Sequence, residues 1–231
     1  MNLLDCGCGP GSITLGLAEI VAPGQVIGID LDASRIEQAK AAAQERGIPN
    51  VSFQIGDAYK LPFPDHHFDA AFQNAVFIHL KDPLKAAREI YRVIRPGGLF
   101  GARETDHDST FHNGGELVRR SRDVWHQWQK HQGSNHYFSK HLRATLREAG
   151  FQVVGTTASC ECYGTPERMS ERAELWERIL QEPEFVRVAL EQGWADEADF
   201  DHWRQAWREW AGNPDAVAVW VHVEAVAQKP T

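Results

Sequence analysis

Across residues 1–104 short apolar runs alternate with stretches of helical periodicity. No other feature narrows the fold as much, because strands joined by crossover helices assemble into a parallel sheet covered by helices, an α/β architecture. Residues 1–5 form an apolar run that ends in a turn, and Ile13, Leu15, Leu17 and Ile20 then repeat at helical spacing. A second strand is predicted over 25–30. Asp32 after it is an N-cap residue type, opening a helix through Ile36, Ala39 and Ala43 that stops at Gly47. Further strands are predicted at 51–55, 68–73 and 99–103. Between the last two, residues 83–94 predict a helix with Leu84, Ala87, Ile90, Tyr91 and Ile94 inward, ended by the turn Arg95-Pro96-Gly97-Gly98.

Beyond Thr105 the regularity stops. Residues 105–138 are polar and rich in histidine and tryptophan, and a helix from about Ser139 to Gly150 precedes a strand beginning at Phe151. Residues 163–214 hold Trp176, Trp194, Trp203, Trp207 and Trp210 on amphipathic helical patterns, where core packing is the default expectation. An alternating, β-branched run over 216–227 predicts a last strand.

Composition removes several functional classes. A formal charge of −8 and a pI near 5.8 argue against a nucleic-acid partner, since phosphate binding needs clustered Lys and Arg, and favour a small or uncharged substrate. No apolar run reaches the roughly 18 residues of a membrane span, and no secretory signal pattern opens the chain, so a cytoplasmic protein is expected. The cysteines fall as two C-x-C pairs, Cys6/Cys8 and Cys160/Cys162. This spacing is shorter than that of structural zinc sites, so they are read as reduced, partly buried thiols, and no metal is expected.

In an open α/β sheet ligands sit beyond the carboxyl ends of the strands. After the first strand, the loop Asp5-Cys6-Gly7-Cys8-Gly9-Pro10-Gly11 lets backbone approach a ligand closely, with the next helix pointing its N-terminus at an anionic group. After the second, Asp30 stands 19 residues beyond Gly11, where an acid can accept hydrogen bonds from both ribose hydroxyls. Gly56-Asp57-Ala58 follows the third strand and offers a carboxylate to an exocyclic amine and an N–H to a ring nitrogen. Asn74-Ala75 follows the fourth. The glycines read G-x-G-x-G, with Ser12 where the nicotinamide fingerprint G-x-G-x-x-G needs glycine, which lowers the oxidoreductase reading.

With the stretches LLDCGCGPGSITLGLA, VIGIDLD, GDAYKLPFPDHHFDAAF and HLKDPLKAAREIYRVIRPGG, residues 2–104 resemble the class I S-adenosylmethionine-dependent methyltransferases, in the small-molecule branch of the ubiquinone and menaquinone (UbiE-type) enzymes. The resemblance implies a Rossmann-like, doubly wound, seven-stranded, mostly parallel sheet with an antiparallel last strand and helical inserts. It implies S-adenosyl-L-methionine as cofactor, S-adenosyl-L-homocysteine as product, and transfer to a small-molecule acceptor. It places Asp30 on the ribose, Leu31 against the adenine face, Asp57 on the adenine amine, and the loop from Asp5 through Gly7, Gly9 and Gly11 at the methionine end. The chain is then one domain over 1–231, with 1–104 the cofactor-binding core and 105–138 and 163–214 the inserts that cover substrate. Such enzymes usually carry helices ahead of the first strand; here Met1 almost reaches it, so the expectation is either cover from the inserts or from the second subunit of a homodimer, or a chain that starts late and binds the cofactor weakly.

Chain order puts three candidate general bases at the same sheet edge: His79 after the fourth strand, and Glu104 and His107 after the fifth. His112, His136 and Tyr137 are further candidates, whereas Asp32, Asp65 and Asp69 are read as cap and turn residues. The alternative is a protein that binds the cofactor without transferring methyl, as a sensor or a catalyst of another reaction.

Overall fold

The protein is described by a computed structural model covering Met1–Thr231. In chain order its elements are β1 (Asn2–Cys6), α1 (Ser12–Val21), β2 (Gln25–Asp30), α2 (Ala33–Arg46), β3 (Val51–Ile55), β4 (Phe68–Asn74), α3 (Pro83–Val93) and β5 (Ile94–Thr105). There follow β6 (Phe111–His112), α4 (Glu116–His131), α5 (Leu142–Glu148), β7 (Gln152–Tyr163), α6 (Pro166–Ile179), α7 (Pro183–Glu191), α8 (Glu197–Ala211) and β8 (Ala218–Gln228). Two compact units result: Met1–Thr105, Phe138–Ala158 and His222–Thr231 form the first, and Asp106–Tyr137 and Ser159–Val221 the second.

The strand order is β3-β2-β1-β4-β5-β8-β6, with β7 also paired to β8. The neighbouring pairs among β1 to β5 are parallel, and β8 lies antiparallel to β5, with Arg103 opposite Glu224 and ion-paired to it at 3.3 Å. The sheet therefore has eight strands and not the expected seven; the extra one is the two-residue β6, too short to leave an alternation in the sequence. The expected turn at 95–98 lies inside β5. Phe68 pairs with Ile94 and Ala70 with Leu99, so these residues bulge out of the ladder, and Gly97 (φ +76°) donates its N–H to the carbonyl of Lys229.

Alternation along each strand decides what packs where in the first unit. Leu4 and Cys6 point into the large cluster with Ala86, Ile90 and Val93 of α3 and Leu142 and Leu146 of α5, while Leu3 packs with Ala18 of α1 and Val26. Asp5 falls on the α1 side, buried, where its carboxylate accepts from Thr14 Oγ1 at 2.6 Å; burial lifts its pKa to about 6. On β5, Phe100 and Ala102 join the α3 side, and Glu104 continues that face into the interior. Its Oε1 accepts from Gln73 Nε2 (3.0 Å) and Phe77 N (2.9 Å), so one buried carboxylate ties β5 to the end of β4 and to the 3-10 turn Phe77–His79; burial pushes its pKa up to about 7. Lys229 satisfies the last carbonyls of α3, donating to Tyr91 O at 2.7 Å and Ile94 O at 2.8 Å.

The second unit is built on tryptophan. Val118 and Val124 of α4, Trp176 of α6, Phe185 of α7 and Trp203, Trp207 and Trp210 of α8 form one buried cluster, with the Trp176 and Trp207 rings stacked 4.8 Å apart. Trp207 Nε1 donates to Ser121 Oγ and Trp210 Nε1 to Asn113 Oδ1, each at 3.0 Å, whereas Trp203 Nε1 is buried with no partner. Asp196 and Asp199 start α8 with a capping box, each side chain accepting the other's backbone N–H.

Two outcomes are expected in unfolding experiments. A carboxyl whose pKa is about 7 when folded and 4.5 when unfolded holds more protons in the native state between those values, so Glu104 makes stability fall as pH rises through that window, by up to about 1.4 kcal/mol per pH unit. His112 and His126, whose pKa values burial lowers, contribute with the opposite sign, so the comparison must be with Glu104→Gln: relative to wild type, that variant should gain stability from pH 5 to 7. A pH-independent difference between the two proteins would contradict the assignment. Among the tryptophans, Trp207→Phe should cost about 1 kcal/mol more than Trp203→Phe in chemical denaturation, because only Trp207 loses a hydrogen bond.

Candidate active site

The geometry of the candidate site begins at the turn after β1. Gly7 adopts φ +78°, and a Cβ built there would collide with Val76 Cγ2, so glycine is required both by the backbone and by the packing of the β1 and β4 ends. The N–H groups of Gly7 and Cys8 both donate to Ile29 O at 2.8 Å, and Gly9 N donates to Asp30 Oδ2 at 2.9 Å. Most of the loop's amides thus hold it against β2. A ligand is left with the first turn of α1, which begins at Gly11 without a side-chain cap. Gly11 serves packing: its Cβ would meet Ala39 Cβ at 2.9 Å and Phe53 at 3.1 Å.

The ends of β1 to β4 open into one cavity of about 940 Å³, lined by Asp5 to Pro10 with Ser12 and Ile13, by Ile29 to Asp32 with Arg35, by Gly56 to Tyr59, and by Asn74 to Val76 with His79 and Leu80. That volume matches a site for a nucleoside-sized ligand. The predicted residues Asp5, Gly7, Gly9, Asp30, Leu31, Gly56, Asp57, Ala58, Asn74 and Ala75 all line it, and Gly11 does not. Asp30 Oδ1 accepts the N–H of Asp32 at 3.0 Å, so each of its oxygens takes one backbone donor and keeps acceptor capacity. Leu31 is 74% exposed, an apolar face with room for a planar ring. Asp57 Oδ1 takes the N–H of Tyr59 at 2.8 Å, which fixes an exposed carboxylate at the rim, and Ala75 holds a left-handed φ of +54°.

Sequence reading missed Arg35, Tyr59 and Val76 as lining residues. Asp32, assigned only as a cap, both caps α2 through Ser34 and lines the cavity. A first-turn position on α2 was the only available signal for Arg35. The C-x-C pairs differ in kind: Cys6 and Cys8 are buried, with burial pushing the Cys8 thiol up to about 12, whereas Cys160 and Cys162 are exposed free thiols and not the partly buried ones expected.

The three candidate bases have different surroundings. His79 lines the cavity, and partial burial with the nearby Arg35 guanidinium holds its pKa below the ordinary value. Glu104 is buried in the tether described above and does not line the cavity. His107 belongs to the second unit, where its ring packs edge-on to His126 (5.1 Å) and His136 (4.5 Å). In the same unit His112 sits against Trp207, Trp210 and Trp220, and burial pulls its pKa down to about 2. Arg172 stacks over Trp220 at 3.3 Å, and Tyr137 is exposed. No helix is long and apolar enough to cross a membrane.

A family profile described as "Methyltransferase domain" matches residues 4–102. An uncharacterized methyltransferase of Schizosaccharomyces pombe is 40% identical over 46% of this chain, a stretch that spans only 40% of that relative's length. A demethylmenaquinone methyltransferase of Lactococcus lactis is 32% identical over 67% of this chain and 67% of its own. Among solved structures, the [4+2]-cyclase SpnF superposes with a TM-score of 0.61 at 26% identity, covering 100% of this chain and 74% of that one. The strand order, the four strand ends around one cavity and these relatives agree: the chain belongs to the class I S-adenosylmethionine-dependent methyltransferases of the small-molecule type.

Proposed function

We propose that this methyltransferase acts on a small apolar acceptor with ring character, in the cytoplasm, and that His79 is its general base. One observation carries the cofactor half of the reading, the cavity into which Gly7–Gly9, Asp30–Leu31, Asp57–Ala58 and Asn74–Ala75 converge. S-adenosylmethionine supplies an electrophilic methyl on a sulfonium, which a nucleophile takes by in-line displacement. The chain's residues suit that group. Asp30 would accept from ribose hydroxyls with its remaining lone pairs, Leu31 would cover the adenine face, Asp57 would accept from the adenine amine, and Gly9 keeps the methionine end clear of side chains. Leu31 is also the apolar surface that a second subunit of a homodimer would protect.

Acceptor chemistry is read from the relatives and from the inserts. Demethylmenaquinone and sterol 24-C methyltransferases stand among the relatives, at 32% identity each, and both names denote apolar ring compounds. Residues 105–138 and 163–214 supply aromatic side chains such as Trp125 and Tyr163, which suits the same class. Exposed free Cys160 and Cys162 fit a reducing compartment. The SpnF match favours a second reading, because a [4+2] cyclisation transfers no group and that chain covers this one completely.

His79 is favoured as base because, of the three candidates, only it lines the cavity, and its lowered pKa keeps it neutral and proton-accepting at pH 7. Transfer should therefore hold constant above pH 7 and fall only as pH drops below the ordinary histidine value, and His79→Ala should lower kcat by about 10²-fold or more while S-adenosylhomocysteine still binds. Unaltered kcat in His79→Ala would remove it as base. Asp30→Ala should weaken calorimetric S-adenosylhomocysteine binding by about 1–3 kcal/mol, and unchanged affinity would refute the ribose assignment. The acceptor reading is tested with tritiated methyl on S-adenosylmethionine and a panel of reduced quinones and sterols. Label in the extracted acceptor supports it, whereas cofactor binding with no label in any acceptor points to the non-methylating alternative.

A further inference from the structure

The second unit brings together three histidines that are distant in sequence: His107 on the turn after β5, His126 on α4, and His136 on the segment after α4. One ring nitrogen from each can be chosen so that all three lie within 4.8 Å of one another, and the ring centroids are 4.5, 4.7 and 5.1 Å apart. Three imidazoles around a tetrahedral ion with metal–nitrogen bonds of about 2.0–2.1 Å have their nitrogens about 3.4 Å and their centroids about 5 Å apart. The centroids already stand at that spacing, so small ring rotations would bring the nitrogens in. We propose that His107, His126 and His136 bind a divalent transition-metal ion of the zinc type, which nothing in the methyl-transfer reading requires.

The surroundings support such a site. Trp125 packs against all three rings, at 6.2 Å from His107, 5.3 Å from His126 and 5.6 Å from His136, and forms an apolar wall that limits solvent access. His136 is buried and the other two are half-buried. Two charged groups act on the cluster with opposite sign. Asp108 favours a cation beside His126, and Arg122, four residues before it on α4, opposes one while donating to Thr110 O at 3.3 Å. Nitrogen-only ligation by three imidazoles selects zinc, nickel or copper over magnesium or calcium, which need oxygen. Three protein ligands leave one tetrahedral position for water or for an oxygen of a small ligand, whose pKa the ion would lower. Ligands drawn from three separate segments leave no spacing motif, so the sequence carries no sign of such a site.

The test uses the full chain stripped with chelator and titrated with Zn²⁺ or Co²⁺, without cofactor, so that its outcome is independent of methyl transfer. One equivalent should bind, and X-ray absorption at the metal edge should show nitrogen and oxygen ligands with imidazole scattering and no sulfur. His126→Ala and His136→Ala should each weaken binding at least about tenfold, and Cys160→Ser with Cys162→Ser should leave it intact. Circular dichroism checks that the variants fold; if a histidine variant does not, the absorption spectrum of wild type decides alone. Failure of wild type to bind an equivalent, sulfur in the spectrum, or full binding by a folded triple-histidine variant would overturn the site.

Discussion

Much of the first unit hangs on one buried carboxylate. Glu104 sits fully buried near the end of a central strand, and its partners are Gln73 of β4 and the backbone N–H groups of Phe77 and Ile78 in the Phe77–His79 turn. A buried acceptor of this kind costs several kcal/mol unless it is satisfied, so the donors cannot drift without leaving it orphaned. That requirement places Val76, and Val76 in turn leaves no room for a side chain at Gly7. The glycine loop, the end of β4 and the end of β5 are therefore one mechanical unit, and the cavity wall follows from it.

Asp5 repeats the device on the opposite face of the sheet. Thr14 Oγ1 donates to it from α1, which pins the first turn of that helix beside the loop. Asp30 completes the arrangement by taking the N–H groups of Gly9 and Asp32. Three carboxylates thus hold three connections at the carboxyl ends of β1, β2 and β5. Asp30 is half-buried at the cavity wall, whereas the interior positions of Asp5 and Glu104 keep their pKa values high, as burial does for an acid that polar neighbours satisfy only in part.

The second unit follows a different logic. Its core is made of large aromatic rings, with Trp176, Trp203 and Trp207 fully enclosed. Packing of this kind tolerates histidines in the interior, and the clusters around His107 and His112 result. Amphipathic patterning over 163–214 was enough to anticipate helices with tryptophan inside. It could not show which histidines of 105–138 meet, because each comes from a different segment and α4 alone spans 16 residues of that insert.

Sequence by itself determined the alternation of strands and helices through residue 104, the boundaries of α1, β2 and β3, and most of the strand-end residues that line the cavity. Local periodicity and chain-adjacent turns dictate all of these, and residues at strand ends need no distant partner to be recognised. The seven-strand expectation failed at β6 because two residues carry no period. Tertiary structure alone decided where the carboxylates and histidines lie. Glu104 lies near the end of β5 and His79 follows β4 of the same sheet, yet one points into the interior and the other lines the cavity, since pleat parity and the 3-10 turn set their directions. His107 lies with His126 and His136, because side chains far apart in sequence become neighbours only when helices pack, and packing is a property of the whole fold.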